Sequence, residues 1–195
     1  MVAELLKHGR AAWLDVRGIE DGPIRSELFS TERLEQHART LAEAQEVRSG
    51  YEGRKLMPRV RENARVLSDS YQAIARAVAE GRAITPSAEW LLDNFHVVEE
   101  QVNDINDHLP ERYYRELPKL ASGFLAGYPR VYGIAWALIA HTDSRFAPEP
   151  LARFVHAYQR IRPLTLGELW AIPITLRVVM VENLRRLASS SMAWR

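Results

Sequence analysis

The stretch Thr85-Pro86-Ser87-Ala88-Glu89-Trp90-Leu91-Leu92-Asp93-Asn94-Phe95-His96, carried on through Val98, Val102 and Ile105 to Leu109-Pro110, decides the fold class. Thr85 is a good helix N-cap, Pro86 is pre-set for a first helical position, and Glu89 stands in the first turn, where the helix dipole favours negative charge. Leu91, Phe95, Val98, Val102, Ile105 and Leu109 then recur at alternating steps of four and three, the spacing of one buried helical seam, until Pro110 ends it.

Upstream, a seam of the same spacing runs from Pro58 through Val60, Ala64, Leu67, Tyr71, Ile74 and Val78 to Gly81. The connection from Gly81 to Ile84 leaves the second helix no course but to return beside the first, so the two form an antiparallel hairpin. Before them, Leu34, Ala38, Leu41 and Ala42 predict a helix from near Ser30 that ends before Ser49-Gly50. After them, Pro110 to Gly127 predicts a short helix and a loop. Val131 to Ala140 is apolar almost all round, the pattern of a helix enclosed by others. Leu151, Phe154, Val155 and Tyr158 predict an amphipathic helix from Pro148, and Thr165 with Glu168 forms a capping box ahead of a helix through Leu169, Ile172, Leu176, Val179, Leu184 and Leu187. Pro173 predicts a kink in that last helix. Ile174 to Val181 has strand-like composition, but cap and period assign it to the helix, and no two-residue alternation or fixed-length repeat occurs elsewhere. The expectation is an all-α chain: an N-terminal arm, partly ordered, over residues 1–29, a single bundle-like domain of six or seven helices over 30–188, and a C-terminal tail over 189–195.

Composition narrows the function classes. With 195 residues the chain is long enough for a sizeable core, and 26 basic against 25 acidic residues give a net charge of +1, which offers no electrostatic case for nucleic acid as a partner. The absence of cysteine removes disulfides, thiol nucleophiles and thiolate metal sites. Glu4 stands where a signal peptide has basic residues, and the longest apolar runs fall short of the roughly 18 residues of a bilayer span, so no direct membrane span is expected. Of the 26 basic residues 23 are arginine, and the densest group, Arg54, Lys55, Arg59, Arg61 and Arg65, reads as a solvated face interleaved with Glu62.

The chemistry-bearing residues do not assemble into a familiar reaction centre. His96 precedes Glu99, Glu100, Asp104 and Asp107 along one helix, yet no Glu-x-x-His and no His-Glu-x-x-His occurs, and Asp104 and Asp107 are one residue too far apart for the Asp-x-Asp of a metal-dependent nucleotide-sugar transferase. No Walker loop, dinucleotide fingerprint or Gly-x-Ser-x-Gly elbow is present. No catalytic residue, no cofactor and no metal ligand is therefore assigned. His141, Asp143 and Ser144 read as caps at the end of the enclosed helix, and Trp90, Tyr113, Tyr114, Tyr132, Trp136 and Trp170 read first as core aromatics, with a sugar-stacking platform as the alternative. The candidate contacts for a ligand or partner are Trp90, His96, Tyr113, Arg130, His141, Asp143, Arg145 and Trp170.

The segment Ile84 to His96, with Leu117-Pro118-Lys119-Leu120-Ala121, Gly127-Tyr128-Pro129-Arg130-Val131-Tyr132, His141-Thr142-Asp143-Ser144-Arg145 and Pro163-Leu164-Thr165-Leu166-Gly167-Glu168-Leu169-Trp170-Ala171-Ile172-Pro173, resembles the N-terminal region of bacterial cyclic β-1,2-glucan synthases over roughly residues 24–188. The resemblance implies a parent enzyme in the inner membrane that builds β-1,2-linked glucose chains from UDP-glucose and closes them into rings. Its transferase domain, membrane spans and phosphorylase-like module lie downstream of the matched region, so no catalytic residue carries over. Family members continue past the last helix, where this chain has Ser189 to Arg195.

The leading expectation is a non-catalytic helical module on the cytoplasmic side of the inner membrane, whose partners are the remainder of the synthase or its neighbouring domains. The alternatives are a domain that binds carbohydrate or nucleotide, with glucan or UDP-glucose contacting Trp90, Tyr113, Arg130 and His141, and a stand-alone helical adaptor that forms a homo-oligomer.

Overall fold

The computed structural model describes residues 22–50, 53–145 and 147–191. Among them are seven helices: α1 (Thr31–Ala44), α2 (Met57–Ala79), α3 (Pro86–His108), α4 (Glu111–Glu116), α5 (Arg130–Thr142), α6 (Pro148–Gln159) and α7 (Leu166–Ser191). The all-α expectation holds. Two strands of two residues, β1 (Val47–Arg48) and β2 (Lys119–Leu120), pair antiparallel with Val47 opposite Leu120, a contact too short to leave any alternation in the sequence.

The two cap signals act as read. Thr85 accepts from the Ala88 amide at the start of α3, with Pro86 in the first turn. In the Thr165 box the hydroxyl accepts from the Glu168 amide at 3.2 Å while the Glu168 carboxylate accepts from the Thr165 amide at 2.9 Å. Helix α7 is continuous through Pro173.

Helix α7 is the axis of the fold. Helices α2, α3 and α5 all pack on it, while α1 packs on α6 and reaches α5. Helix α5, buried from Arg130 to Ala140, is enclosed as its all-round apolar pattern required. The seam of α2 differs from expectation: Val60, Asn63, Leu67, Ser70 and Ile74 are buried, whereas Val78 is exposed. This helix serves two neighbours at once. Tyr71 stacks on Phe95 of α3 at 4.4 Å, and Asn63 turns toward α7.

Residues 1–21 of the expected arm lie outside the described residues. Ile24 is buried, and the backbone amides of Ser26 and Phe29 donate to Ala140 and His141 at the end of α5. Of the tail, residues 189–191 continue α7, and 192–195 lie outside the described residues. A tight crossing holds the loop before α2 to the loop before α5. Gly53 and Gly127 both adopt positive φ, the Arg54 amide donates to the Gly127 carbonyl at 2.8 Å, and a Cβ on Gly53 would stand 2.3 Å from that oxygen.

Candidate functional site

Helix α7 carries polar groups where a helix in this position ordinarily carries aliphatic ones. Glu168, Thr175 and Glu182, seven residues apart, are all fully buried, and Arg186 follows one turn later. Glu182 is the hub of the larger cluster. Arg59 of α2 donates to both its oxygens, Asn63 donates at 2.6 Å, and Arg186 donates at 2.8 Å and stands over the Trp136 ring. Burial pushes the Glu182 pKa up, but the hydrogen bonds and charge of Arg59, helped by Asn63 and Arg186, outweigh it and hold the group at about 2.

The second cluster lies at the other end of α7. Arg130 makes a two-pronged pair with Glu168 at 2.8 and 2.6 Å, donates to the Pro163 carbonyl, and lies over the Tyr158 ring. Glu168 thereby serves as cap of α7 and as buried partner of α5. Tyr158 donates to Gln45 at 2.6 Å. Nearby, Lys119 is wholly buried without a carboxylate; its ammonium donates to the Tyr114 and Leu117 carbonyls, satisfying the end of α4, and burial pulls its pKa down to about 8.

A third group sits where residues 24–29 meet the bundle. The His141 ring stacks on Phe29 with centroids 3.9 Å apart and meets His37 at 4.6 Å, and its Nδ1 is 2.7 Å from the Glu27 carbonyl. Burial, followed by the charge of His141, lowers the His37 pKa to about 4, and burial lowers that of His141 as well. Asp143 and Ser144 both adopt left-handed backbone after α5. Asp143 pairs with Arg25 at 2.7 Å, and Asn183 of α7 donates to the Ser144 hydroxyl while accepting from the Ile24 amide. His141 thus holds a carbonyl of the residues before α1, where the sequence suggested a carbonyl of its own helix.

The structure scatters the candidate contact residues. Tyr113 donates to the Gly167 carbonyl at 2.5 Å, beside Arg130, at the start of α7. His141, Asp143 and Arg145 lie at the far end of α5, roughly 16 Å away along the helix axis at 1.5 Å per residue. His96 is exposed on α3. Among the aromatics read as core, Tyr132 and Trp136 are buried, but Trp90 is 50% exposed and Trp170 is 75% exposed. The helical period places each of these residues in a row of its own helix without showing which way that row faces.

Trp90 borders a cavity of about 540 Å³ between the α2–α3 turn and the last turns of α7, with Ala73, Ile74, Leu91, Leu184 and Leu187 in its walls. A second, shallower recess of about 370 Å³ lies between α6 and α7 beside Pro173. Among the described residues no group of three or more His, Cys, Asp or Glu is arranged to hold a metal ion. Sequence reasoning missed the joining of Arg59 and Asn63 to Glu182, which lies more than a hundred residues from both and shows no local signal.

No protein-family model matches the chain. Against known proteins, 167 residues are 42% identical to the cyclic beta-(1,2)-glucan synthase NdvB of Rhizobium meliloti (strain 1021). The chain is similar to a segment of that synthase. The match covers 85% of this chain and 6% of NdvB, so the chain spans a small part of the length of the relative. The resemblance expected from the motifs is thus found. Among the described residues no helix is long and apolar enough to cross a membrane.

Proposed function

We propose that the chain is a non-catalytic helical module of a membrane glycosyltransferase that makes cyclic β-1,2-glucan from UDP-glucose, serving on the cytoplasmic side as an interaction or positioning unit. The observation that carries the reading is the 42% identity over 85% of the chain to a segment amounting to 6% of NdvB. The internal electrostatics support it. Glu168, Glu182, Arg130 and Arg59 bond one another across helix boundaries, so these charges serve the fold. Incubation of the 195-residue chain with UDP-glucose and a divalent cation tests the reading: no β-1,2-glucan is expected, and incorporation of glucose overturns it.

A binding role receives support from the exposed indoles of Trp90 and Trp170. Titration with β-1,2-glucan and with UDP-glucose, followed by tryptophan fluorescence, tests it, and no response at millimolar ligand removes it.

A further inference from the structure

Helix α7 is enclosed along most of its circumference, and what it leaves open is one narrow strip. Leu166 (68% exposed), Trp170 (75%) and Met180 (40%) lie on it with Pro173 and Arg177, at steps of four, three, four and three. Beside it α3 presents a parallel row with Trp90 and Val97, both at least 40% exposed. Arg177 ties the two rows together by donating to Gln101 at 3.0 Å and pairing with Asp104 at 3.6 Å. At the Trp90 end the rows open into the 540 Å³ cavity floored by Ile74, Leu91 and Leu184. Single exposed apolar residues are ordinary, but two exposed apolar rows that each carry an indole, Trp90 at the cavity end and Trp170 at the opposite end, have the anatomy of a recognition surface with an anchor pocket.

The α3 flank of this surface is acidic, while the cations on it are Arg177, paired with Asp104 between the rows, and Arg82, paired with Glu80 at the cavity wall. Helix α3 contains six carboxylates and no lysine or arginine. Glu89, Asp93, Glu100 and Asp107 fall on one exposed ridge immediately flanking the Trp90–Val97 row. An apolar groove between two helices accepts a third helix by its own apolar row, and an acidic ridge along the groove selects a helix whose flank is basic.

We infer that the α3–α7 groove docks a basic amphipathic helix belonging to the remainder of the synthase, with a bulky apolar side chain of that helix seated in the cavity at Trp90. The inference rests on the proposed role as a module of that enzyme. Three observations favour this occupant. The ridge repels the anionic headgroups of a bacterial membrane surface, and it repels a second copy of this chain approaching through the same face. The match occupies 6% of NdvB, so in such a protein the great majority of the polypeptide is available to supply the helix. Tethering in one polypeptide raises the effective concentration to the millimolar range, at which a modest groove suffices.

The test replaces the matched segment of NdvB by this chain and follows cyclic glucan synthesis, with Val97→Glu and Trp170→Glu introduced into the same chimera. The chimera is expected to be active and each substitution to lower synthesis at least tenfold. The isolated 195-residue chain carrying either change is expected to keep its Tm within about 2 °C, since both positions are exposed. An active chimera indifferent to both changes overturns the groove and leaves the module reading standing, whereas an inactive chimera counts against both. A second measurement reads the charge directly. The isolated chain is titrated with two helical peptides that share a leucine row, one flanked by lysines and one by glutamates. At least tenfold tighter, salt-sensitive binding of the lysine peptide, weakened by Val97→Glu, supports the inference. Equal binding of the two, or preferential adsorption of the chain to phosphatidylglycerol vesicles, overturns it.

Discussion

The two sides of α7 reverse the usual distribution of residue types. The inward side holds Glu168, Thr175, Glu182 and Arg186, all buried, while the outward strip holds Leu166, Trp170 and Met180. A hydrophobic index averaged around this helix conceals both. The lesson is that buried charge and exposed apolar surface are the informative departures, and here each answers a different need. The inward charges specify which helix lies against which, because among the described residues Glu182 is bonded by groups from α2 and from its own helix, and Glu168 by α5 and its own cap. The outward residues are left largely to solvent in the isolated fold.

Breaking the inward side should have the largest effect. Glu182→Gln leaves Arg59 and Arg186 facing an uncharged amide, and chemical denaturation is expected to show a loss of about 3–5 kcal/mol. Arg130→Met strands the Glu168 carboxylate and is expected to cost about 3 kcal/mol. The double change Arg130→Met with Glu168→Met should recover most of that, and a double-mutant cycle measures the difference. A double variant as unstable as the single would show that the capping role of Glu168 dominates its pairing role.

The histidine cluster sharpens the contrast through pH. His37 has its folded pKa lowered, so the unfolded chain binds the proton more readily. Stability is therefore complete above the ordinary histidine value near 6.5 and is lost as pH falls toward the folded value of about 4. The Tm should decline across this window, and His37→Phe should flatten that decline. The Glu182 contribution, with a lowered carboxylate pKa, is complete above about 4.5 and is lost only as pH falls toward about 2, so the two events separate in an acid titration. The smallest effect belongs to the outward strip. Trp170→Ser is expected to change stability by no more than about 0.5 kcal/mol in equilibrium unfolding, and a larger loss would place Trp170 among the residues that hold the fold.

What was legible in the sequence follows the range of each interaction. The caps at Thr85 and Thr165 are decided within three residues, and both behave as read. The enclosure of α5 was legible because no face of Val131 to Ala140 is polar. The seam of α2 was only half legible: Asn63 and Ser70 look like surface residues until α7 is brought against them. The sequence groups Arg59 with its arginine neighbours on a solvated face. Arg65 does lie there, bound to Glu62 and Asp69, but Arg59 reaches a carboxylate 123 positions away. Periodicity likewise groups Trp90 with other apolar residues of its helix, yet only the assembled bundle shows that its row faces outward.

Because Glu168 and Asn183 fasten α7 to α5 and to the chain before α1, the roughly four turns between them cannot fray alone. The amides of those turns and of α5 are then expected to exchange with deuterium as one block, at the rate of global opening, while the exposed turn joining α2 to α3 exchanges earlier. Anything seated along the outward strip would therefore rest on the most persistent part of the molecule, with little conformational freedom left to lose on engagement.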